Sequence, residues 1–266
     1  MKLIQKIVLL TGLAVSIFAT ERELTFHEVE KEKLKRYSAE IVWVEEKESG
    51  VIYPRLVSGY SSEKLKFFNQ FLEKKQTKKA QEVLEYSKNH QSAKSVYASI
   101  GFVSSDLFSL IVIERFKGKD EERKMDLSGI LYDITQNREL TLDHILAFSP
   151  HAPIQNSKNK KRWFQYRTEV FAPIIRDEIF ALKGWNPSED ESDVCRYEDI
   201  RHWVNPVWYI AKNGGIQMIP EYNEEMNDCK NEQLFILPLT FLKKYKNKKY
   251  AENLETFYQY KGVNKK

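Results

Sequence analysis

An acidic loop in the C-terminal third of the chain carries the residues best suited to chemistry or binding. Residues 221–232 follow an apolar run and combine a tyrosine with several carboxylates. Carboxylates at this density attract a basic partner, and a tyrosine ring supplies apolar contact area at low entropy cost. We therefore expect a partner-binding surface with Tyr222 as an exposed anchor. The expected partner-binding residues are Glu221, Tyr222, Glu224, Glu225 and Asp228.

Two other interpretations of this loop stay open. It could be a solvated loop that Cys229 ties down. It could also supply the two carboxylates that glycoside hydrolysis needs at a fixed separation. That alternative function is an envelope enzyme that modifies polysaccharide or peptidoglycan. The sequence contains no phosphate-binding glycine loop, nucleophile elbow or His-Glu-x-x-His motif, so we expect no catalytic residues and no cofactor.

The histidines of the chain are scattered and do not form a metal-binding pattern. His144 and His151 lie seven residues apart, with Asp143 adjacent. A zinc site would need at least one further ligand, and no residue at a suitable spacing supplies it. We interpret both histidines as capping or solvated residues and expect no metal site.

The N-terminus has the features of a signal peptide. Residues 1–6 form a short segment with two lysines, residues 7–18 are mostly apolar, and Ala19 is a plausible cleavage point. Twelve helical residues rise only ~18 Å, which is too short to cross a hydrocarbon core of ~30 Å. We expect a periplasmic or secreted mature protein without a membrane span.

The two cysteines, Cys195 and Cys229, predict one disulfide, because paired thiols in an exported chain are usually oxidised. Closing a loop of this length would stabilise the fold by ~3–4 kcal/mol in the chain-entropy model. The bridge would attach an acidic insert around Cys195 to the acidic loop.

Charge is high and evenly distributed. Charged residues make up 30% of the sequence, both signs are interspersed, and the formal net charge is +4. This pattern is typical of a solvated surface and does not indicate nucleic-acid binding. The lysine-rich segments 74–79, 156–162 and 243–249 are accordingly interpreted as solvated faces, in preference to a polyanion site.

Hydrophobic periodicity predicts the elements that must position the acidic loop. The apolar runs 207–211 and 216–219 are joined by Asn213-Gly214-Gly215, which predicts a β-hairpin. After the loop, residues 234–245 predict a strand closed by Pro238 and then a short helix.

Upstream, the sequence predicts two strands, a three-strand meander and two amphipathic helices. Ser61 or Ser62 should cap the first helix. Pro54 suggests an edge strand, and Pro173 should kink the second helix unless a helix starts there. The expected ranges are 37–46 and 51–56 for the strands, 94–103, 107–116 and 123–134 for the meander, and 162–182 for the second helix.

This order of elements resembles a family of bacterial envelope domains best known from the extracellular, lysozyme-sensing part of RsiV-type anti-sigma factors. Related domains accompany some deacetylases. The resemblance is carried by Glu221-Tyr222, Ile236-Leu237-Pro238, Tyr53-Pro54, Asn69 and the segment 126–142. The charged hairpin 116–123, the loop continuation 223–229 and the insert 184–201 depart from the family pattern. The resemblance implies an α+β fold and a lysozyme-like hydrolase as partner.

Together these observations predict an α+β protein, an antiparallel sheet with two main helices packed on one face. The expected function is an exported, non-enzymatic protein-binding domain, an inhibitor or immunity protein against a lysozyme-like cell-wall hydrolase. The partner would be another envelope or secreted protein, with no nucleic acid and no membrane. The expected organisation is a signal peptide (1–19), a charged lead-in (20–36), an RsiV-like domain (37–248, with parts at about 37–90 and 94–248) and a polar tail (249–266).

Overall fold

The computed structural model describes residues 24–34, 39–90, 93–117, 123–185, 195–222, 235–249 and 254–259. The predicted signal peptide lies outside these residues. So do Glu224, Glu225, Asp228 and Cys229 of the predicted site. Within the described residues, no helix combines the length and the apolar character needed to cross a membrane.

In the described part of the chain, the larger sheet contains seven strands that lie side by side in sequence order. Neighbouring strands are antiparallel except for the third and fourth, which run parallel where Ile52 pairs with Tyr97. The α+β class and the predominantly antiparallel sheet are therefore confirmed. The strands are β1 (Phe26–Leu34), β2 (Ala39–Glu46), β3 (Ile52–Leu56), β4 (Ala93–Val103), β5 (Leu107–Lys117), β6 (Arg123–Asp133) and β7 (Arg138–Leu140).

Two predictions for the first strands are wrong. Residues 26–34 were expected in a charged lead-in, but they form β1, which pairs with β2 from Phe26 to Leu34. Its charged side chains suit an edge strand, because they discourage pairing with other chains. Pro54 lies inside the sheet and not at an edge. β3 joins β4 at Ile52, so the proline lies beyond that pairing, where its missing N–H is tolerated.

The first helix, α1 (Ser62–Asn89), covers one face of the large sheet. Ser61 caps it as predicted, since its hydroxyl accepts a hydrogen bond from the Lys64 amide. Its buried residues include Phe68 and Leu72, which pack into a core with residues of β2 to β6. Asn69 ties the helix to β3: its side chain accepts from the Leu56 amide at 2.9 Å and donates to the Leu56 carbonyl at 2.8 Å.

The opposite face is covered by a second layer, so the helices are not packed on one face as predicted. The strands of the large sheet are apolar on both sides: Leu107 belongs to one core and its neighbour Phe108 to the other. Each apolar face needs its own cover. The second layer contains β8 (Val207–Ile210), β9 (Ile216–Ile219) and β10 (Phe235–Leu237), in the order β10-β9-β8, with α2 (Leu142–Ile145), α3 (Lys160–Tyr166), α4 (Ala172–Lys183), α5 (Leu239–Lys244) and α6 (Glu255–Tyr258).

Two glycines of the large sheet let β8 approach it closely. A Cβ atom on Gly129 would lie 2.1 Å from the Trp208 carbonyl oxygen, and one on Gly101 would lie 2.4 Å from the Ile210 carbonyl oxygen. No real Cβ atom tolerates such contacts with backbone, so these positions require glycine. The hairpin of β8 and β9 is thereby placed directly against β4 and β6.

The predicted second helix is interrupted just before Pro173, which lies in the first turn of α4, where its missing N–H is tolerated. A π-helical turn (Arg167–Phe171) separates α3 from α4, and Gly184 ends α4 in a left-handed conformation with φ 67°. Arg167, in the π turn, is buried and forms an ion pair with Asp143 of α2 at 2.9 Å. The guanidinium stacks on the Phe171 ring, with its carbon 3.8 Å from the ring centroid.

The predicted polar tail, residues 249–266, is wrong for the part described. Leu254, Phe257 and Tyr258 are buried in the core of the second layer. The Tyr258 hydroxyl donates to the Ile145 carbonyl at 2.6 Å. Leu254, Phe257 and Tyr258 follow the i, i+3, i+4 spacing of an apolar helix face, a short signal that the prediction of a polar tail overlooked.

Candidate functional site

The candidate site lies where β9 ends and the predicted acidic loop begins. The predicted hairpin is confirmed: β8 and β9 pair from Val207 with Ile219 to Ile210 with Ile216. Its turn uses Gly214 at φ 82°, a conformation that favours glycine. After β9, Pro220 leads the chain into Glu221 and Tyr222.

An open cleft of about 280 Å³ lies beside this point. Its floor is apolar, and Met125 at its margin is 36% exposed. Its rim carries the exposed carboxylate of Glu221. The Asp126 side chain belongs to the other face of the sheet, because Asp126 pairs with Glu114, whose carboxylate binds Lys79 of α1. The cleft therefore combines accessible apolar surface with one negative charge at the start of the acidic loop. The lining residues are Met125, Asp126, Leu127, Val207, Ile219, Pro220, Glu221 and Tyr222.

Tyr222 is buried, with only 5% of its surface exposed, so the expectation of an exposed anchor is wrong. Its ring packs edge-on against Tyr197 at 6.2 Å between centroids and against the His202 ring at 4.4 Å. Polar neighbours in the sequence conceal this role, because the apolar surroundings of the ring come from a distant segment. Tyr222 positions the start of the loop and belongs to the core of the second layer.

His202 clamps the start of the loop through main-chain and side-chain contacts. The Glu221 amide donates to the His202 carbonyl at 2.9 Å, and His202 Nδ1 lies 2.8 Å from the Glu221 carbonyl oxygen. Sequence reasoning missed this role, because the two residues lie nineteen positions apart in no shared motif. The clamp leaves the Glu221 side chain exposed at the rim of the cleft.

His202 is itself held in a 3-10 turn (Ile200–Trp203). Asp199 caps this turn by accepting a hydrogen bond from the Arg201 amide at 2.9 Å. Hydrogen bonds from the Arg201 side chain lower the pKa of Asp199 to about 2, so the cap stays ionised at any physiological pH. The Trp203 indole donates to the Tyr197 carbonyl at 2.8 Å. These hydrogen bonds hold the turn that carries His202, and through it the start of the loop, in a fixed position.

The cysteine of the insert lies close to this support in the chain. Cys195 is buried and disulfide-bonded. The other cysteine of the sequence, Cys229, lies outside the described residues. Their pairing, and the attachment of the acidic loop that it implies, stays a prediction.

Among the described residues, no group of three or more His, Cys, Asp or Glu side chains could hold a metal ion. His144 acts as a helix cap, as interpreted from the sequence, because its Nδ1 accepts from the Thr141 amide at 3.0 Å. Burial and the nearby Arg138 lower the pKa of His144, which favours the neutral ring that such a cap needs.

Comparisons with known proteins give structural neighbours only. No family model matches the sequence, and no curated protein matches it. The fold is similar to a solved DUF3298 family protein from Bacteroides fragilis, with a TM-score of 0.46 and 13% identity over 87% of this chain and 98% of that one. It is also similar to a DUF3298 family protein from Pseudomonas aeruginosa, with a TM-score of 0.45 and 10% identity over 86% of this chain and 96% of that one.

Proposed function

We propose that this chain is an exported, non-enzymatic domain that binds a basic envelope or secreted protein. A lysozyme-like cell-wall hydrolase is the partner that fits best, which would make the chain an inhibitor or immunity protein. The observation that supports the proposal is the apolar cleft with the Glu221 carboxylate at its rim, at the clamped start of an acidic loop. The resemblance of the sequence to RsiV-type lysozyme-sensing domains supports the same partner class.

Charge complementarity supports a basic partner. Glu221 is exposed at the rim, and the loop sequence adds Glu224, Glu225 and Asp228. Acidic groups of this kind raise the rate of encounter with a basic protein more than they raise affinity. The apolar floor beneath them offers the desolvated contact area from which the remaining binding energy would come.

The rigid start of the loop supports a binding role as well. Tyr222 is packed against Tyr197 and His202, and the Glu221 backbone is fixed by two contacts to His202. A surface held in place before binding loses less conformational entropy on association. Tyr222 thus contributes by positioning the carboxylates and not by contacting the partner.

The described carboxylates suit binding better than glycoside hydrolysis. Hydrolysis needs one carboxyl group that stays protonated near neutral pH, which usually requires an apolar, enclosed environment. Glu221, the carboxylate at the rim of the cleft, is exposed to solvent. Its environment therefore favours a charged contact surface over a protonated catalytic acid.

Titration of the purified chain against a basic muramidase tests the proposal. We expect stoichiometric binding and inhibition that need no metal. Changing Glu221→Gln should raise the Kd roughly threefold, mainly through slower association with a weaker dependence on salt. The matched control is Glu73→Gln, which removes the same charge from an exposed position on α1 and should leave binding unchanged.

The contribution of the apolar floor can be separated from that of charge. Met125→Ala removes an exposed side chain at the cleft and should weaken binding without affecting the melting temperature. Absence of binding to any basic hydrolase would overturn the proposal. Turnover of cell-wall fragments that is abolished by Glu221→Gln would instead support the enzyme.

A further inference from the structure

A second cleft lies in the same layer, away from the acidic loop. Its volume is about 280 Å³, and it opens between the segment after α2 and the segment after α5. One wall is apolar and the other is rich in lysine. Its lining residues are Ala147, Phe148, Ser149, Pro150, Ala152, Lys244, Lys246, Asn247, Lys248 and Lys249.

Main-chain hydrogen bonds fasten the two walls to each other. The Ala147 amide donates to the Tyr245 carbonyl at 2.8 Å, and the Asn247 amide donates to the Ile145 carbonyl at 2.9 Å. Asn247 is only 3% exposed, and its side chain donates to the Asp143 carbonyl at 2.7 Å. The same side chain accepts from the Lys249 amide at 3.1 Å, which holds the lysine segment in a turn. The cleft is therefore built from rigid walls.

Aromatic packing forms the base of the cleft. The Phe148 ring packs against Phe171, Phe241 and Tyr245, with centroids 5.3, 5.8 and 4.9 Å away. The Phe148 amide donates to the Tyr166 hydroxyl at 3.0 Å. These contacts keep the half-buried phenyl ring at the cleft and prevent it from closing the space.

Four lysines, Lys244, Lys246, Lys248 and Lys249, line this cleft. Glu178 attracts Lys244 without forming an ion pair with it. Within the described part of the chain, none of Lys244, Lys246, Lys248 and Lys249 forms an ion pair. Since like charges repel, such a cluster raises the free energy of the folded state until an anion neutralises it.

We propose that this lysine cleft binds an anionic ligand that carries more than one phosphate group. Lysine ammonium groups act as compact point charges, and they suit phosphate oxygens, which can be approached from many directions. The cleft contains no arginine fork, which planar carboxylates would favour. The apolar wall of Ala147, Phe148 and Pro150 would contact the carbon skeleton of the phosphate ester. The segment 243–249 is then more than the solvated face that its sequence suggested.

Calorimetric titration of the full chain with inorganic tripolyphosphate tests this proposal. We expect saturable binding that weakens as salt is raised. Changing Lys246→Gln with Lys248→Gln should raise the Kd at least about tenfold, because each lysine supplies a charge-assisted contact. The control Lys66→Gln with Lys74→Gln removes the same charge from exposed positions on α1 and should leave the Kd unchanged. Equal losses in the two variants would show nonspecific attraction and overturn the proposal.

Two further arms separate a built site from a charged surface. Ala152→Trp fills the cleft while keeping every lysine, and it should abolish binding; retention of the wild-type Kd would overturn the cleft as the site. Citrate supplies three carboxylates in place of phosphates and should bind at least about tenfold more weakly. Equal affinity for citrate would overturn the assignment to phosphate.

A comparison of sources identifies where the phosphate resides. If the phosphate belongs to a lipid headgroup, vesicles of anionic phospholipid should bind the chain, and excess tripolyphosphate or Lys246→Gln with Lys248→Gln should abolish that binding. If vesicles do not bind, or bind independently of these lysines, the cleft takes a soluble phosphate compound.

Discussion

Replacing Tyr222 by alanine distinguishes a positioning residue from an exposed anchor. The ring is only 5% exposed and packs against Tyr197 and His202. Truncating a buried aromatic side chain removes its transfer free energy and leaves a cavity, which costs about 3–5 kcal/mol. For a domain of this size, that loss corresponds to a melting temperature lowered by roughly 6–20 °C.

Urea unfolding, followed by circular dichroism, measures the free energy of unfolding for the variants. Tyr222→Phe keeps the ring, so we expect a loss below about 1.5 kcal/mol and unchanged partner binding. Glu221→Gln alters an exposed side chain next to it and should change stability by no more than about 0.5 kcal/mol. If Tyr222→Ala melts within ~2 °C of the wild type while partner binding is lost, the ring is not packed as described, and the anchor hypothesis returns.

Three further predictions concern the framework. Arg167→Met leaves the Asp143 carboxylate buried without its ion-pair partner, so the free energy of unfolding should fall by about 3–5 kcal/mol. Adding Asp143→Leu should restore part of this loss. If the two losses are additive in urea unfolding, the two side chains are not coupled. Gly129→Ala would place a methyl group 2.1 Å from the Trp208 carbonyl oxygen and should cost at least about 2 kcal/mol, whereas a neutral effect in thermal unfolding would contradict the close approach of β8. Burial alone would raise the pKa of Glu46, but hydrogen bonds from the Ser49 hydroxyl and from backbone amides outweigh it and lower that pKa below 4.5. The stabilisation that the ionised Glu46 contributes is therefore fully present above pH 4.5 and is lost as the pH falls through the lowered pKa. The difference in free energy of unfolding between wild type and Glu46→Gln should accordingly shrink in acid. A difference that stays constant from pH 7 to about pH 3 would refute this.

Local patterns sufficed for most elements of the fold. The meander, the capped helix after Ser61, the interruption at Pro173 and the Asn-Gly hairpin were all predicted, because each depends on residues close together in the chain. The α+β fold class followed from the same local patterns. Turn chemistry, capping and periodicity act over a few residues, so a single sequence displays them directly.

Long-range packing decided what local patterns could not. The charged segment 26–34 becomes a strand because β2 offers it a free edge, and hydrogen bonding to an edge needs no apolar pattern in the added strand. The division of the helices between two faces followed from apolar residues on both sides of β5 and β6, an arrangement that periodicity within one helix cannot report.

The candidate site shows the same division between local and long-range information. Its acidic composition and the carboxylate of Glu221 were evident from the sequence, whereas the burial of Tyr222 was not. An aromatic residue is buried or exposed according to what surrounds it. The ring of Tyr222 is surrounded by Tyr197 and His202, which precede β8 in the chain. The sequence alone therefore determined the chemistry available at the loop. Only the tertiary structure decided which side chain faces solvent and which one holds the loop in place, because burial is a property of contacts between distant parts of the chain.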